Sequence, residues 1–141
     1  MSPRYVGIDY GTRRIGLAVS DPLGTLASPL KTLQVKGAPA EQARQVVAAA
    51  QEFDVDEWVV GHPFNMDGTE GPQAKTCGAF AELLAQQTGT VVHLWDERLS
   101  SVQADDYLAQ AALTDKKKKS RRDMLAAQII LQSFLDAQPQ D

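Results

Sequence analysis

The side chains of this chain best suited to chemistry are carboxylates at the ends of apolar segments. Asp9 closes the apolar run from Tyr5 to Ile8. Glu97, with Asp96 beside it, follows the run from Thr90 to Trp95. Asp123 shares one helical face with Ala126, Ala127, Ile130 and Phe134, by three-and-four spacing. Hard divalent cations take oxygen ligands. Two of them about 3.5–4 Å apart clamp the attacking and leaving oxygens of a phosphoryl transfer. Singly, each acid also has a plain structural role: Asp9 can start a tight turn and Glu97 can pair with Arg98 at the surface. Asp123 suits the first turn of a helix capped by Ser120. Gathered at one place, unpaired like charges destabilise one another, and divalent cations remove that conflict.

The remaining polar features suit a phosphodiester ligand. Arg13 and Arg14 flank Asp9 and can pair with phosphate oxygens, and Arg98 stands next to Glu97. The loop from Asn65 to Gly71 is rich in turn formers, and its backbone N–H groups can face an anion. Its alternative is an ordinary loop. Lys116, Lys117, Lys118, Lys119, Arg121 and Arg122 form a basic run just before Asp123. Such a run tracks a nucleic-acid backbone and makes binding salt-dependent. As a solvated loop it would do neither. His62 and His93 are too isolated for a zinc site. His93 alternates with Val91 and Trp95 as a core or sheet-face residue, and His62 borders the crevice as a minor contact. No Ser-His-Asp or Cys-His arrangement is suggested.

These residues need a scaffold, and the chain supplies one in order. Strands are predicted over Arg4 to Tyr10 and Arg14 to Ser20, joined by a turn at Gly11 so short that they must be antiparallel. A third strand runs from Leu26 to Val35, with Pro29 marking a bulge or an edge. Pro39 opens a helix to Phe53. Glu57 to Gly61 reads as a buried strand, and a helix follows from Pro72 to Gln87, ended by Gly89. The strand from Thr90 to Trp95 is apolar at nearly every position, as when both faces are covered. A helix from Ser100 or Ser101 to Ala112, a basic loop, and a last helix from Arg121 to Asp136 complete the chain. The fold class is α/β: a mixed five-stranded sheet, antiparallel over the first three strands and parallel over the last two, with helices on both faces. In such sheets the ligand crevice lies at the carboxyl ends of the parallel strands.

The chain has 141 residues, is 43% hydrophobic and carries a formal net charge of −4, so it is not a generally basic nucleic-acid binder. This length predicts a single domain over residues 1–141, with about 137–141 a flexible tail. No run is apolar enough to span a membrane, and no signal pattern opens the chain, which predicts a cytoplasmic protein. The lone Cys77 cannot form an internal disulfide and reads as a small buried hydrophobe.

Four segments together resemble the YqgF/RuvX family of nucleases in the RNase H-like superfamily. They are Gly7-Ile8-Asp9-Tyr10-Gly11 through Arg14-Ile15-Gly16-Leu17-Ala18, Val60-Gly61-His62-Pro63 with Asn65 to Gly71, Asp96 to Ser101, and Asp123 to Ala127 with Ile130-Leu131-Gln132. The chain departs from the family at His62, where leucine is usual, and at Ser100-Ser101, where threonine is frequent. The resemblance implies an RNase H-like fold and a divalent-metal site at Asp9, Glu97 and Asp123, taking a pair of ions of the Mg²⁺ or Mn²⁺ kind. It implies hydrolysis of phosphodiesters, either at the 5′ end of precursor 16S ribosomal RNA or in four-way DNA junctions. Junction cleavage needs a two-fold homodimer, for which the Cys77 helix is a candidate face. Two rivals remain: a non-catalytic nucleic-acid-binding module, and an ATPase of the actin and hexokinase type, which needs a duplicated domain.

Overall fold

In the computed structural model the described residues are 3–11, 13–99 and 115–138, with side chains described for 3–11, 13–98 and 121–138. The elements are β1 (Tyr5–Tyr10), β2 (Arg14–Ser20), β3 (Ala27–Gln34), α1 (Pro39–Ala49), β4 (Glu57–His62), α2 (Pro72–Thr88), β5 (Val91–Asp96) and α3 (Asp115–Ala137). The helix expected from Ser100 or Ser101 to Ala112 lies outside the described residues.

The strands lie in the order β3-β2-β1-β4-β5. β1 pairs antiparallel with β2, and β2 with β3, whereas β1–β4 and β4–β5 are parallel. This is the mixed sheet that the order of elements predicts. The β2–β3 register slips where Leu17 faces Lys31 but Ala18 faces Pro29, so β3 bulges beside Pro29 on an outer strand.

Alternation along the strands sorts the core into two layers. Val6, Ile8 and Tyr10 of β1 face α1 and α2, packing with Val46, Cys77, Phe80 and Leu84. On the other face Tyr5, Ala18 and Val59 meet Ala127, Ile130, Leu131 and Phe134 of α3. Tyr10 stacks on Phe80 at 4.2 Å between ring centroids and donates its hydroxyl to Gln42 Oε1 at 2.5 Å, which anchors the end of β1. The same alternation sends Gly7 and Asp9 to the α3 face. Cys77 is buried as expected, and burial pushes its thiol up to about 12.

Two expectations are corrected. The basic run is not a loop: α3 starts at Asp115 and contains Lys116 through Arg122. Lys and Arg are good helix formers, and an acid at the N-terminus suits the helix dipole. Ser120 is therefore inside the helix and not its cap. β5 is not covered on both faces either. It is one of the two outer strands, and Val91 and Leu94 are 55% and 43% exposed. α3 reaches β5 through Phe134, which packs against His93 and Trp95. His93 is the sheet-face residue expected, bonded to Glu57 at 2.6 Å.

Candidate active site

Asp9 lies between two glycines on the α3 face. Gly16 is its cross-strand partner in β2. On the other side, Gly61 and Asp9 each follow the last registered pair of β1 and β4, Ile8 and Val60. Each glycine admits another carboxylate-bearing segment. A Cβ at Gly16 would fall on the backbone carbonyl of Asp123, so the glycine lets α3 lie against β2 at that turn. A Cβ at Gly61 would stand 2.7 Å from Glu97 Oε1 and 2.6 Å from Ile130 Cδ1. A Cβ at Gly7 would stand 2.6 Å from Leu131 Cβ, continuing the close approach along α3. Ala127 is fully buried in the same seam.

Glu97 arrives by a different route from its neighbour. Strand alternation ends at Asp96, and Glu97–Leu99 forms one turn of 3₁₀ helix. That turn leaves Asp96 to Arg98, which reaches its carboxylate through Nε at 3.0 Å and Nη2 at 2.6 Å. The surface pair with Arg98 that the sequence allows for Glu97 thus belongs to Asp96. Glu97 faces Asp9, and the two carboxyls are hydrogen-bonded.

Burial pushes Asp9 up to about 6, the charge of Asp123 adds to the push, and the hydrogen bond with Glu97 opposes it. Burial also pushes Glu97 up to about 7, helped by the charge of Asp9, their hydrogen bond and the charge of Asp96. The two acids titrate as a pair that holds a proton near neutrality.

Asp123 lies about two turns inside α3, beyond the reach of a first-turn dipole effect. Its Oδ2 accepts from Arg14 Nε at 2.7 Å, with side-chain exposures of 17% and 37%. Among the described residues, no three His, Cys, Asp or Glu side chains stand ready-gathered as a metal-ligand set. Asp9 and Glu97 are together and Asp123 is adjacent, but its carboxylate is turned to Arg14.

The other sequence-predicted residues distribute around this centre. Arg13, Arg121 and Arg122 are exposed, and α3 carries Lys116 to Lys119 on its first turns. Arg98 lies over the Phe64 ring at 5.3 Å. Asn65 organises its loop: its N–H donates to the Thr69 carbonyl at 2.9 Å and its Nδ2 to Thr69 Oγ1 at 3.0 Å. The Gly68 and Thr69 amides donate to Asn65 O and Asp67 Oδ1, so three of the loop amides are used within it. His62 is buried, with its ring centroid 4.2 Å from that of Phe64 and its Nε2 3.3 Å from Glu70 Oε2, which ties the loop back to β4. Sequence reasoning missed this tether, the Arg14–Asp123 pair and the glycine seats. The glycines had a readable signal: Gly7, Gly16 and Gly61 all fall on the strand face that Asp9 occupies.

A model of the RuvX family, described as Holliday junction resolvase, matches residues 3–137. A Myxococcus xanthus protein named "Putative pre-16S rRNA nuclease" is 44% identical over 134 residues, which are 95% of this chain and 88% of that protein. The Lachnospira eligens protein of the same name is 41% identical over 138 residues, 95% of this chain and 97% of its own. Thermus thermophilus RuvC, solved in complex with a Holliday junction substrate, has a TM-score of 0.55 at 20% identity, covering 96% of this chain and 95% of that one. That last likeness is one of fold, and it agrees with the RNase H-like architecture. The family model runs nearly end to end and the relatives match along most of their own lengths: this chain belongs to the RuvX family.

Proposed function

We propose that this chain is a divalent-metal-dependent endonuclease that hydrolyses phosphodiester bonds of structured nucleic acid, with precursor 16S ribosomal RNA as its substrate. One observation carries the reading: half-buried carboxyls from the end of β1 and the turn after β5 meet over a glycine, with Asp123 of α3 admitted beside them by a second glycine. Burying acids in this way is destabilising and gives no packing advantage that apolar residues would not give better.

Asp9, Glu97 and Asp123 would hold Mg²⁺ or Mn²⁺. The donor set fits: it is all oxygen, and two of its members are carboxyls whose charge burial disfavours until a cation supplies the countercharge. Bound ions of this class lower the pKa of water and stabilise a leaving oxygen. Asp9, between its two glycines, would be the central ligand, with Glu97 and Asp123 as the flanking ones. Asp9 and Glu97 must first give up the proton they share. Arg13, Arg98 and the basic first turns of α3 would hold the phosphate backbone and set its register without reading sequence. The RNA substrate comes from the names of the relatives at 41–44% identity.

Cleavage of four-way DNA junctions is a second reading, favoured by the description of the matching family model. It requires a two-fold dimer to cut symmetrically. Purified protein with Mn²⁺ or Mg²⁺ should cut structured precursor RNA, and Asp9→Asn should abolish cutting while retaining binding. Cleavage of the junction alone would replace the RNA assignment. Equal cutting by the Asp9→Asn variant would remove the enzyme reading.

A further inference from the structure

We propose that Arg14 is an exchangeable counter-ion: it neutralises Asp123 until a divalent cation takes that carboxylate, and the freed guanidinium then binds the substrate phosphate. The inference rests on the metal-dependent reading above and concerns what this chain does before and during loading.

Three observations carry it. First, Asp123 is adjacent to the Asp9–Glu97 pair yet joins no ready-made ligand set among the described residues, and its Oδ2 is bonded instead to Arg14 Nε at 2.7 Å. Second, the backbones on both sides of this bond are fixed. Gly16 leaves no room for the main chain of Asp123 to move toward β2. The Arg14 carbonyl accepts from Gly11 N at 3.0 Å, and Arg14 faces Gln34 across the sheet. The exchange is therefore a rotation of side chains alone. Third, the pair is partly exposed, so its rupture costs little, and the exposed Arg13 is its neighbour in the chain. A guanidinium is the side chain best shaped to grip a phosphate in two places.

A counter-ion that must leave before one ligand binds, and that then serves another, couples the two. Cation and nucleic acid should each tighten the binding of the other by the same factor, as linkage requires. Arg14 is in this sense a positioning residue for the metal and a direct contact for the phosphate.

The test measures Mn²⁺ binding by the electron paramagnetic resonance of free Mn²⁺, with and without a structured RNA hairpin, in the cold, with strand integrity checked on a gel. Arg14→Gln should bind Mn²⁺ alone about three- to tenfold more tightly than wild type, since a competing ion pair and a repelling charge are both removed. RNA should tighten Mn²⁺ binding by wild type and leave Arg14→Gln unchanged. A merely structural Arg14 would give the opposite sign, with weaker Mn²⁺ binding in the variant, and that result overturns the proposal. Arg13→Gln removes the same charge one position away and reports the through-space part of the effect. Should Arg14→Gln fail to fold, ¹⁵N-labelled wild type carries the test: Mg²⁺ should shift the Arg14 Nε–H resonance as the bond to Asp123 breaks. A resonance unmoved while the amides around Asp9 respond refutes the exchange. Wild type that binds no Mn²⁺ at all would instead sink the metal-dependent reading, and the exchange with it.

Discussion

Two alanine substitutions should separate the seat of α3 from the seat of Glu97. In Gly16→Ala the new methyl falls on the carbonyl of Asp123 and stands 3.1 Å from its Cα. Those are backbone atoms in the middle of a helix, so no rotamer change relieves the overlap and α3 must lift from β2. In Gly61→Ala the new methyl meets Ile130 Cδ1 at 2.6 Å and Glu97 Oε1 at 2.7 Å, which are the far ends of flexible side chains. They can swing aside while the helix stays down. Overpacking a filled core costs about 1–3 kcal/mol, so Gly16→Ala should lose about 3 kcal/mol and Gly61→Ala about 1. For a chain of this size the larger loss lowers the melting temperature by about 10 °C and the smaller by about 3 °C. Function should follow another order. Gly61→Ala displaces the Glu97 carboxylate itself, so Mn²⁺ affinity and cleavage should fall by about tenfold or more despite a nearly native melt. Urea denaturation in EDTA, read beside Mn²⁺ titration, measures both quantities. If Gly61→Ala proves the more destabilising, or binds Mn²⁺ like wild type, Glu97 is not seated over Gly61.

Other outcomes follow from the same geometry. Asp9→Asn should abolish cleavage yet stabilise the metal-free protein at pH 8 by about 1–3 kcal/mol, because it removes one of the half-buried like charges; a destabilised variant in EDTA would contradict this. The raised pKa values of Asp9 and Glu97, about 6 and about 7, mean that the folded state holds protons the unfolded chain has released. Their stabilising contribution is complete below the unfolded values near 4 and is lost as pH rises through 6 and 7, which chemical denaturation without metal, compared with Asp9→Asn, can trace. Cation affinity should climb over the same interval, since the shared proton must leave, and a flat profile from pH 5.5 to 8 would refute the shared proton. Replacing Lys116 to Lys119 by alanine should flatten the dependence of log K on log salt by about 0.7–0.9 for each phosphate no longer neutralised, with little effect on cleavage at saturation.

The sheet was legible because its signals are local. A two-strand hairpin needs only the short turn at Gly11, and the bulge in β3 announces itself through Pro29. α2 ends where Gly89 takes a φ of 67°, a conformation that glycine adopts freely. The misread stretches depend on distant contacts. Four lysines in a row repel as an isolated helix, but they extend α3 once its apolar face from Leu125 to Leu135 is buried against the sheet. The apolar composition of β5 speaks of a buried strand, and only the strand order reveals it as an edge.

The acids were legible in a different sense. Sequence marks Asp96 and Glu97 equally, and a single 3₁₀ turn decides that one goes to Arg98 and the other to Asp9. Nothing in the sequence pairs Arg14 with Asp123 across 109 positions. What the sequence does carry is the absence of side chains at Gly7, Gly16 and Gly61. A strand face that puts glycine at those positions weakens its own packing, unless something must come closer than a methyl group allows. Here that something is the backbone of Asp123 on one side of Asp9 and the carboxylate of Glu97 on the other. The glycines and the acids are therefore one feature: exchanging either kind for alanine empties the same site, the first by pushing the ligands apart and the second by removing them.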